Sequence, residues 1–305
     1  MRAARVLAQA KVNLLLRVGA SDAAGYHEVA TQLQRIDLAD EVTVRVGGGD
    51  RSISCGGPLM PGGGFGPPES NLAYRAARAY AERCGWLTGF SIEIVKHIPA
   101  GGGLGGGSAD AGAVLRCLDA MAPEPLASDA LGAVARSLGA DVPFLASEQP
   151  SAFATGRGDV CHSLDPLPER PIVLAMPDFS ISTAEAYRLL DEAGGGSLPA
   201  ARVVTSADVG RQAPLETFGL RSWTEARGGS HNDFERALEP RFPLLGTLRD
   251  SLASAGAIVA RLSGSGSTVF AVFEDDPPPS RDLSLDALVI RARTSARVVQ
   301  VEVLE

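Results

Sequence analysis

The chain has 305 residues, 45% of them hydrophobic and 21% charged, with a net charge of −8. That length holds one large domain or two modest ones, in the composition range of a soluble globular protein. The acidic surplus excludes a bulk basic surface for nucleic acid, and no apolar run approaches the roughly 18 residues of a membrane span.

Taken in chain order, Arg5 to Val18 is rich in Leu and β-branched residues. It predicts one long bent strand or a strand pair, with the polar Lys11 and Asn13 on the same face. Ser21 to Gly25 predicts a turn, Glu41 to Val46 a strand, and Gly47 to Pro68 a loop with one short strand at most. Asn71 to Cys84 has helical spacing and stops at Gly85. Phe90 to Ile98 alternates as a strand and leads into Pro99-Ala100-Gly101-Gly102-Gly103-Leu104-Gly105-Gly106-Gly107-Ser108.

Glycines remove side chains, so backbone N–H groups can close around a ligand. Ser108 is expected to cap the helix running to Met121, whose free N–H groups and dipole favour a phosphate. A Walker loop needs a Lys after its last Gly, and none is present. Gly101, Gly103 and Gly106 match the dinucleotide pattern formally. However, Pro99 separates the loop from its strand, and Leu115 to Leu126 does not read as the second strand of a βαβ unit.

Further on, Ser128 to Leu138 predicts a helix ended by Gly139, with Asp141 just after it. Ile172 to Ala175 predicts a strand and Ser182 to Glu192 a helix, followed by an irregular region to about Gly229. Asn232 to Leu238 and Leu244 to Ala255 predict helices. Ile258 to Leu262 and Thr268 to Phe273 predict strands joined through Ser263-Gly264-Ser265-Gly266-Ser267. Asp276 to Ser280 reads as a linker, Leu283 to Arg291 as a helix and Ala296 to Leu304 as a closing strand. Without regular βαβ alternation the class is α+β, with a boundary near Pro166 to Arg170. Cys55, Cys84, Cys117 and Cys161 form no C-x-x-C pair, so no zinc site is expected and the thiols suit a reducing cytoplasm.

Pro99, Gly103, Leu104, Gly105 and Ser108 resemble the Pro-x-x-x-Gly-Leu-Gly-x-x-Ser pattern of the GHMP kinases (galactose, homoserine, mevalonate and phosphomevalonate kinases). Four more segments extend the resemblance over about Ala8 to Phe273. They are Ala10-Lys11-Val12-Asn13-Leu14, Gly25-Tyr26-His27, Leu138 to Phe144, and Leu262 to Ser267. Together they are similar to the branch of that family acting on a cytidine diphosphate-linked methylerythritol in non-mevalonate isoprenoid synthesis. Gln9 and Ala109 depart from the family, which commonly has Pro and Ser there.

The resemblance implies the two-domain GHMP kinase fold. A ribosomal protein S5 domain 2-like, ATP-binding domain would span residues 1–165, and a ferredoxin-like domain residues 166–305. It implies a cytoplasmic small-molecule kinase, monomer or homodimer, using ATP and Mg²⁺, with neither nucleic acid nor membrane as partner. Asp141 would be the general base and Lys11 its cationic partner. The plain alternatives are a turn Asp and a snorkelling edge Lys.

The nucleotide would lie on Pro99, Gly101 to Ser108, Asn71 and Lys96. Surface charge alone would also explain Lys96, and capping alone would explain Asn71. Asn13, Tyr26, His27, Thr183, Tyr187, Gly264, Ser265 and Gly266 would hold the substrate, the rings stacking on the pyrimidine. Asp110 reads as a first-turn helix residue that favours capping over ligand contact. No carboxylate cage for a metal is visible. The competing functions are another GHMP kinase, acting on homoserine, a mevalonate or a sugar, and a non-catalytic nucleotide-binding protein on the same fold.

Overall fold

The computed structural model describes residues 2–22, 25–61, 63–198, 219–280, 283 and 285–304. Strands β1 (Arg2–Ser21) and β2 (His27–Val46) form one long antiparallel hairpin. β1 is therefore a single strand. Its register shifts between Gln9 and Lys11 and again between Asn13 and Leu15. Such bulges re-aim side chains, and here they bracket Lys11 and Asn13.

β2 starts well before the predicted Glu41. Before Glu41 it carries Gln32, Gln34, Arg35 and Asp40, all buried, so the apolar alternation that marks a strand is absent there. β3 (Arg51–Gly56) runs parallel to β4 (Phe90–Val95), and the main sheet has the order β12-β1-β2-β4-β3. A further hairpin, β5 (Ser151–Thr155) and β6 (Val160–Ser163), attaches through β5 to β2.

Four helices accompany this sheet: α1 (Leu72–Cys84), α2 (Gly106–Met121), α3 (Ser128–Leu138) and the short α4 (Val142–Ala146). α1 has both expected ends. Asn71 Oδ1 accepts from the Ala73 N–H at 2.9 Å, and Gly85 takes the left-handed conformation at φ 71°. α2 buries Ala111, Val114, Leu115 and Leu118 in the main core. Its start differs from expectation: the N-cap is Gly105, at φ 73°, and Ser108 lies inside the first turn. A left-handed entry needs glycine, and it moves the cap three residues further into the loop.

The second sheet has the order β11-β7-β10-β9, with β7 (Pro171–Met176), β9 (Val259–Leu262), β10 (Val269–Val272) and β11 (Leu288–Arg293). Its core includes Leu190 of α5 (Thr183–Glu192), and Phe234 and Leu238 of α7 (Asp233–Leu238). Leu245, Leu248 and Leu252 of α8 (Pro243–Ser254) complete that set. Where Leu283 to Arg291 predicts a helix, the structure has from Leu288 onward the strand β11, which pairs antiparallel with β7. Val289 and Ile290 are β-formers, and pairing against the buried β7 overrides the partial helical spacing.

The region to Gly229 is not wholly irregular, since α6 (Trp223–Gly229) closes it. Residues 199–218, the middle of that expectation, lie outside the described residues. β8 (His231–Asn232) then pairs parallel with β1 at Leu15 and Leu16. The closing strand is shorter than expected: β12 (Glu302–Leu304) pairs with β1, Ala3 facing Leu304. β8 and β12, from the C-terminal part of the chain, thus both join the first sheet through β1. Among the described residues no helix is long and apolar enough to cross a membrane.

Candidate active site

A cavity of about 450 Å³ lies where β1, the glycine loop and the β9–β10 turn converge. Lys11 enters it from β1. Its ammonium donates to Asn13 Oδ1 at 2.7 Å and stands 3.4 Å from Asp141 Oδ2. Asn13 Nδ2 in turn donates to Thr31 Oγ1 at 2.8 Å, and Thr31 donates to the Leu15 carbonyl at 2.7 Å. A buried ammonium is costly without partners, and this chain of bonds supplies them and fixes its direction.

Asp141 occupies the position before α4 but makes no capping hydrogen bond. Its side chain is 32% exposed, against 4% for Lys11. The carboxylate therefore faces the cavity, and the plain capping role does not account for it.

Two glycine segments are pressed together above this pair. Ser263 Oγ donates to the Gly103 carbonyl at 2.9 Å, and the Thr268 N–H donates to that of Gly102 at 3.2 Å. A Cβ on Gly103 would stand 2.1 Å from the Ser263 carbonyl oxygen, so no other residue fits. Gly101, Gly103, Gly105, Gly106, Gly107 and Ser108 line the cavity, as do Gly264 and Ser265. Around Gly107 the space beyond Cα is open, and the free N–H groups of the first turn of α2 lie there. The backbone thus forms a cradle suited to phosphate.

Three expected contacts face elsewhere. Gly102 packs against Met176 and Thr268, the Leu104 side chain is in the core, and Gly266 packs against Leu262 and Ile181. Leu104 acts through its backbone, its carbonyl accepting the Lys11 N–H at 3.0 Å.

A second cavity of about 260 Å³ adjoins the first through Leu72, Gly101, Gly106 and Gly107. Asn71, Lys96 and Pro99 line it with Phe65 and Asp110. The Lys96 ammonium is not free. It bonds Asp40 and, at 2.7 Å, Asp110. Asp40 also accepts the N–H groups of His97 and Ile98 through Oδ1, at 2.6 and 2.8 Å. Lys96 is therefore no surface charge, and Asp110 is no cap. Burial and then the Asp40 charge push the Asp110 carboxyl above its ordinary range, against the pull of Lys96.

A third cavity of about 420 Å³ lies on the other side, lined by Tyr26, His27, Glu28 and Arg157 among others. Tyr26 is exposed. His27 Nδ1 donates to the Gly19 carbonyl at 2.8 Å and Nε2 faces Asp191 Oδ2 at 3.3 Å. The His27 and Tyr187 rings stack at 4.8 Å, and Tyr187 meets Phe234 edge-on at 5.0 Å. Burial, and secondarily the Asp141 charge, push the Tyr187 phenol up to about 12. Thr183, first residue of α5, contacts Ser265 hydroxyl to hydroxyl at 3.3 Å.

The structure thus brings Lys11, Asn13, Asp141, Thr183, Tyr187, Gly264 and Ser265 to one cavity, and places Tyr26 and His27 beside it. Sequence reasoning missed Thr31, which carries no local signal, and Arg157. The latter stands in Thr155-Gly156-Arg157-Gly158-Asp159, a glycine-flanked turn visible in the sequence. Among the described residues no group of three or more His, Cys, Asp or Glu could hold a metal ion.

The family model for the GHMP kinases N terminal domain matches residues 71–149, and that for the GHMP kinases C terminal matches residues 218–284. A 4-diphosphocytidyl-2-C-methyl-D-erythritol kinase of Anaeromyxobacter dehalogenans (strain 2CP-C) is 41% identical over 98% of this chain and 88% of its own length. One from Gloeobacter violaceus is 37% identical over 90% of this chain and 87% of its own. A solved 4-(cytidine 5'-diphospho)-2C-methyl-D-erythritol kinase superposes with TM-score 0.72 at 32% identity, covering 95% of this chain and 99% of its own. Homoserine kinase of Cytophaga hutchinsonii superposes at 0.66 with 18% identity, over 99% and 97%, a likeness of fold.

Proposed function

The chain belongs to the GHMP kinase family, among its 4-diphosphocytidyl-2-C-methyl-D-erythritol kinases, and we propose that it transfers the γ-phosphoryl group of ATP to the 2-hydroxyl of 4-diphosphocytidyl-2-C-methyl-D-erythritol. The observation that carries the chemistry is the Lys11–Asp141 pair, 3.4 Å apart and facing a glycine-lined cavity. The three adjoining cavities support an order of ligands. The nucleoside of ATP takes the one beside Asn71, its phosphates the cradle from Gly101 to Ser108, and the cytidine end the one beside Tyr26 and His27.

Asp141 accepts the proton of the attacking hydroxyl. Lys11 orients that carboxylate and lowers the energy of negative charge developing on the hydroxyl oxygen. Asn13 and Thr31 hold Lys11 in direction. Tyr26 and His27 anchor the far end of the substrate, which places the hydroxyl in line with the γ-phosphorus. Mg²⁺ neutralises phosphate charge when bound. With no carboxylate cluster among the described residues, the protein would hold it through phosphate oxygens and water, with Ser108 at the cavity wall. The division into residues 1–165 and 166–305 remains our reading of the two domains, with β12 returning to the first sheet.

The test is ADP release with ATP and Mg²⁺, comparing 4-diphosphocytidyl-2-C-methyl-D-erythritol with homoserine, mevalonate and galactose. Turnover confined to the cytidine compound is expected. Turnover with another of these alcohols and none with the cytidine compound would overturn the substrate reading and leave the phosphoryl-transfer site standing.

A further inference from the structure

The substrate read above joins a pyrimidine to a methylerythritol through a diphosphate, so this proposal rests on that reading. If the pyrimidine lies beside Tyr26 and the hydroxyl beside Asp141, the diphosphate crosses from one cavity into the other. Among the residues lining these two cavities, Arg157 is common to both. The other cation of the central cavity, Lys11, is already committed to Asn13 and Asp141. The rest of the charge around the crossing is negative: Asp22, Glu28 and Asp159 line the third cavity, and Asp191 faces His27. An unassisted diphosphate would be repelled there.

Arg157 is built to meet this need. It is exposed, and among the described residues no carboxylate pairs with its guanidinium. The guanidinium carbon lies 3.6 Å from the centre of the Tyr26 ring, so the aromatic face orients the cation without neutralising it. The backbone beneath is held. The Arg157 N–H donates to Asp159 Oδ1 at 3.1 Å, and the Gly158 N–H donates to the Thr155 carbonyl at 3.0 Å. The Val29 N–H donates to the Gly156 carbonyl at 2.8 Å, tying the turn to β2. Gly156 and Gly158 both have positive φ, 69° and 93°.

We propose that Arg157 is the specificity-determining residue that receives the substrate's diphosphate, through the planar fork with which guanidinium binds phosphate oxygens. It thereby selects nucleoside diphosphate-linked alcohols over uncharged small ones. Tyr26 holds the cation in place at the mouth shared by the two cavities.

The test compares unaltered enzyme with Arg157→Gln and Arg157→Lys in steady-state ADP release. Arg157→Gln is expected to raise KM for 4-diphosphocytidyl-2-C-methyl-D-erythritol about tenfold or more, with kcat within about threefold and KM for ATP unchanged. Arg157→Lys should recover most of the loss, and the salt dependence of kcat/KM should be shallower in the Gln variant than in the unaltered enzyme. An unchanged KM in Arg157→Gln, beside an active unaltered enzyme, overturns the proposal alone. Equal loss in the Gln and Lys variants with KM for ATP also raised would mean a structural role and overturns it too. Failure of the unaltered enzyme to turn this substrate over removes the functional reading and the proposal with it.

Discussion

Lys11 and Arg35 sit directly opposite each other on β1 and β2 and hold opposite ends of the same short helix. Lys11 pairs with Asp141 at the start of α4. Arg35 donates to the carbonyls of Phe144, Leu145, Ser147 and Gln149 at its far end, at 2.8 to 3.2 Å, and lies over the Phe144 ring. It is fully buried and no carboxylate answers it among the described residues. Burial, and secondarily the charge of Arg116, bring its guanidinium down to about 9. The cross-strand pair therefore clamps the carboxylate-bearing helix from both sides.

Arg35→Met should consequently lower stability by about 3 kcal/mol, because several buried carbonyls lose their donor at once. Urea unfolding measures this. A loss below about 1 kcal/mol would show that water or backbone adjustment replaces the guanidinium.

Asp141→Asn is expected to lower kcat by about a hundredfold or more while KM for ATP changes by less than about threefold, since the amide cannot accept the proton. Retention of full activity would remove Asp141 from the mechanism. Lys11→Met should lower kcat similarly, because the developing negative charge on the hydroxyl oxygen has lost its cation.

Tyr26→Ala should raise KM for the cytidine substrate about tenfold and leave KM for ATP alone, the expected loss for one stacking face. A kinase with no pyrimidine pocket would be indifferent to this change.

Asp233 carries a pH signature. Burial by itself would raise its carboxyl, but bonds from His231, the Ser197 N–H and hydroxyl and the Val18 N–H outweigh it and bring it to about 2. A depressed carboxyl stabilises the fold above its unfolded value and loses that contribution as pH falls through the folded one. Asp233→Asn should therefore cost about 1–2 kcal/mol at neutral pH, the difference from the unaltered protein closing between about pH 4 and pH 2. Thermal unfolding across that range checks it.

Asp110 has the opposite sign. Its carboxyl is raised, so the folded protein holds the proton longer than the unfolded chain, and stability falls as pH rises above the ordinary carboxylate range. Asp110→Asn keeps an acceptor for Lys96 and removes one buried charge. Its melting temperature relative to the unaltered protein should rise from pH 4 toward neutral, and a constant difference would refute the assignment.

The glycine loop and the Lys11, Tyr26–His27 and Asp141 segments were legible in sequence because each is local. What Ser108 does was misread, since the helix begins from a left-handed Gly105 and not from a side-chain cap. The strand at Leu288–Arg293 was misread because its identity is set by β7, more than a hundred residues away in sequence. The role of Arg35 carries no local signal, and neither does the burial of Lys96 between Asp40 and Asp110. Whether a charged residue is buried, and beside which partner, is decided by strands and helices far apart in the chain. A buried cation and a surface cation have the same letter.

The strand that carries Lys11 pairs with segments from both parts of the chain: β12 joins its beginning, β2 runs its length, and β8 joins it at Leu15 and Leu16. Asp141 is bound to the same side through α4 and Arg35, whereas Thr183, Tyr187 and Ser265 come from the side of the second sheet. If the cleft widens to admit a ligand, the base and its lysine travel as one piece. The wall of Thr183, Tyr187 and Ser265 is what moves against them, while Tyr26, His27 and Arg157 stay with the reacting pair. Turnover can then be gated by the approach of that wall without the reacting groups ever losing register.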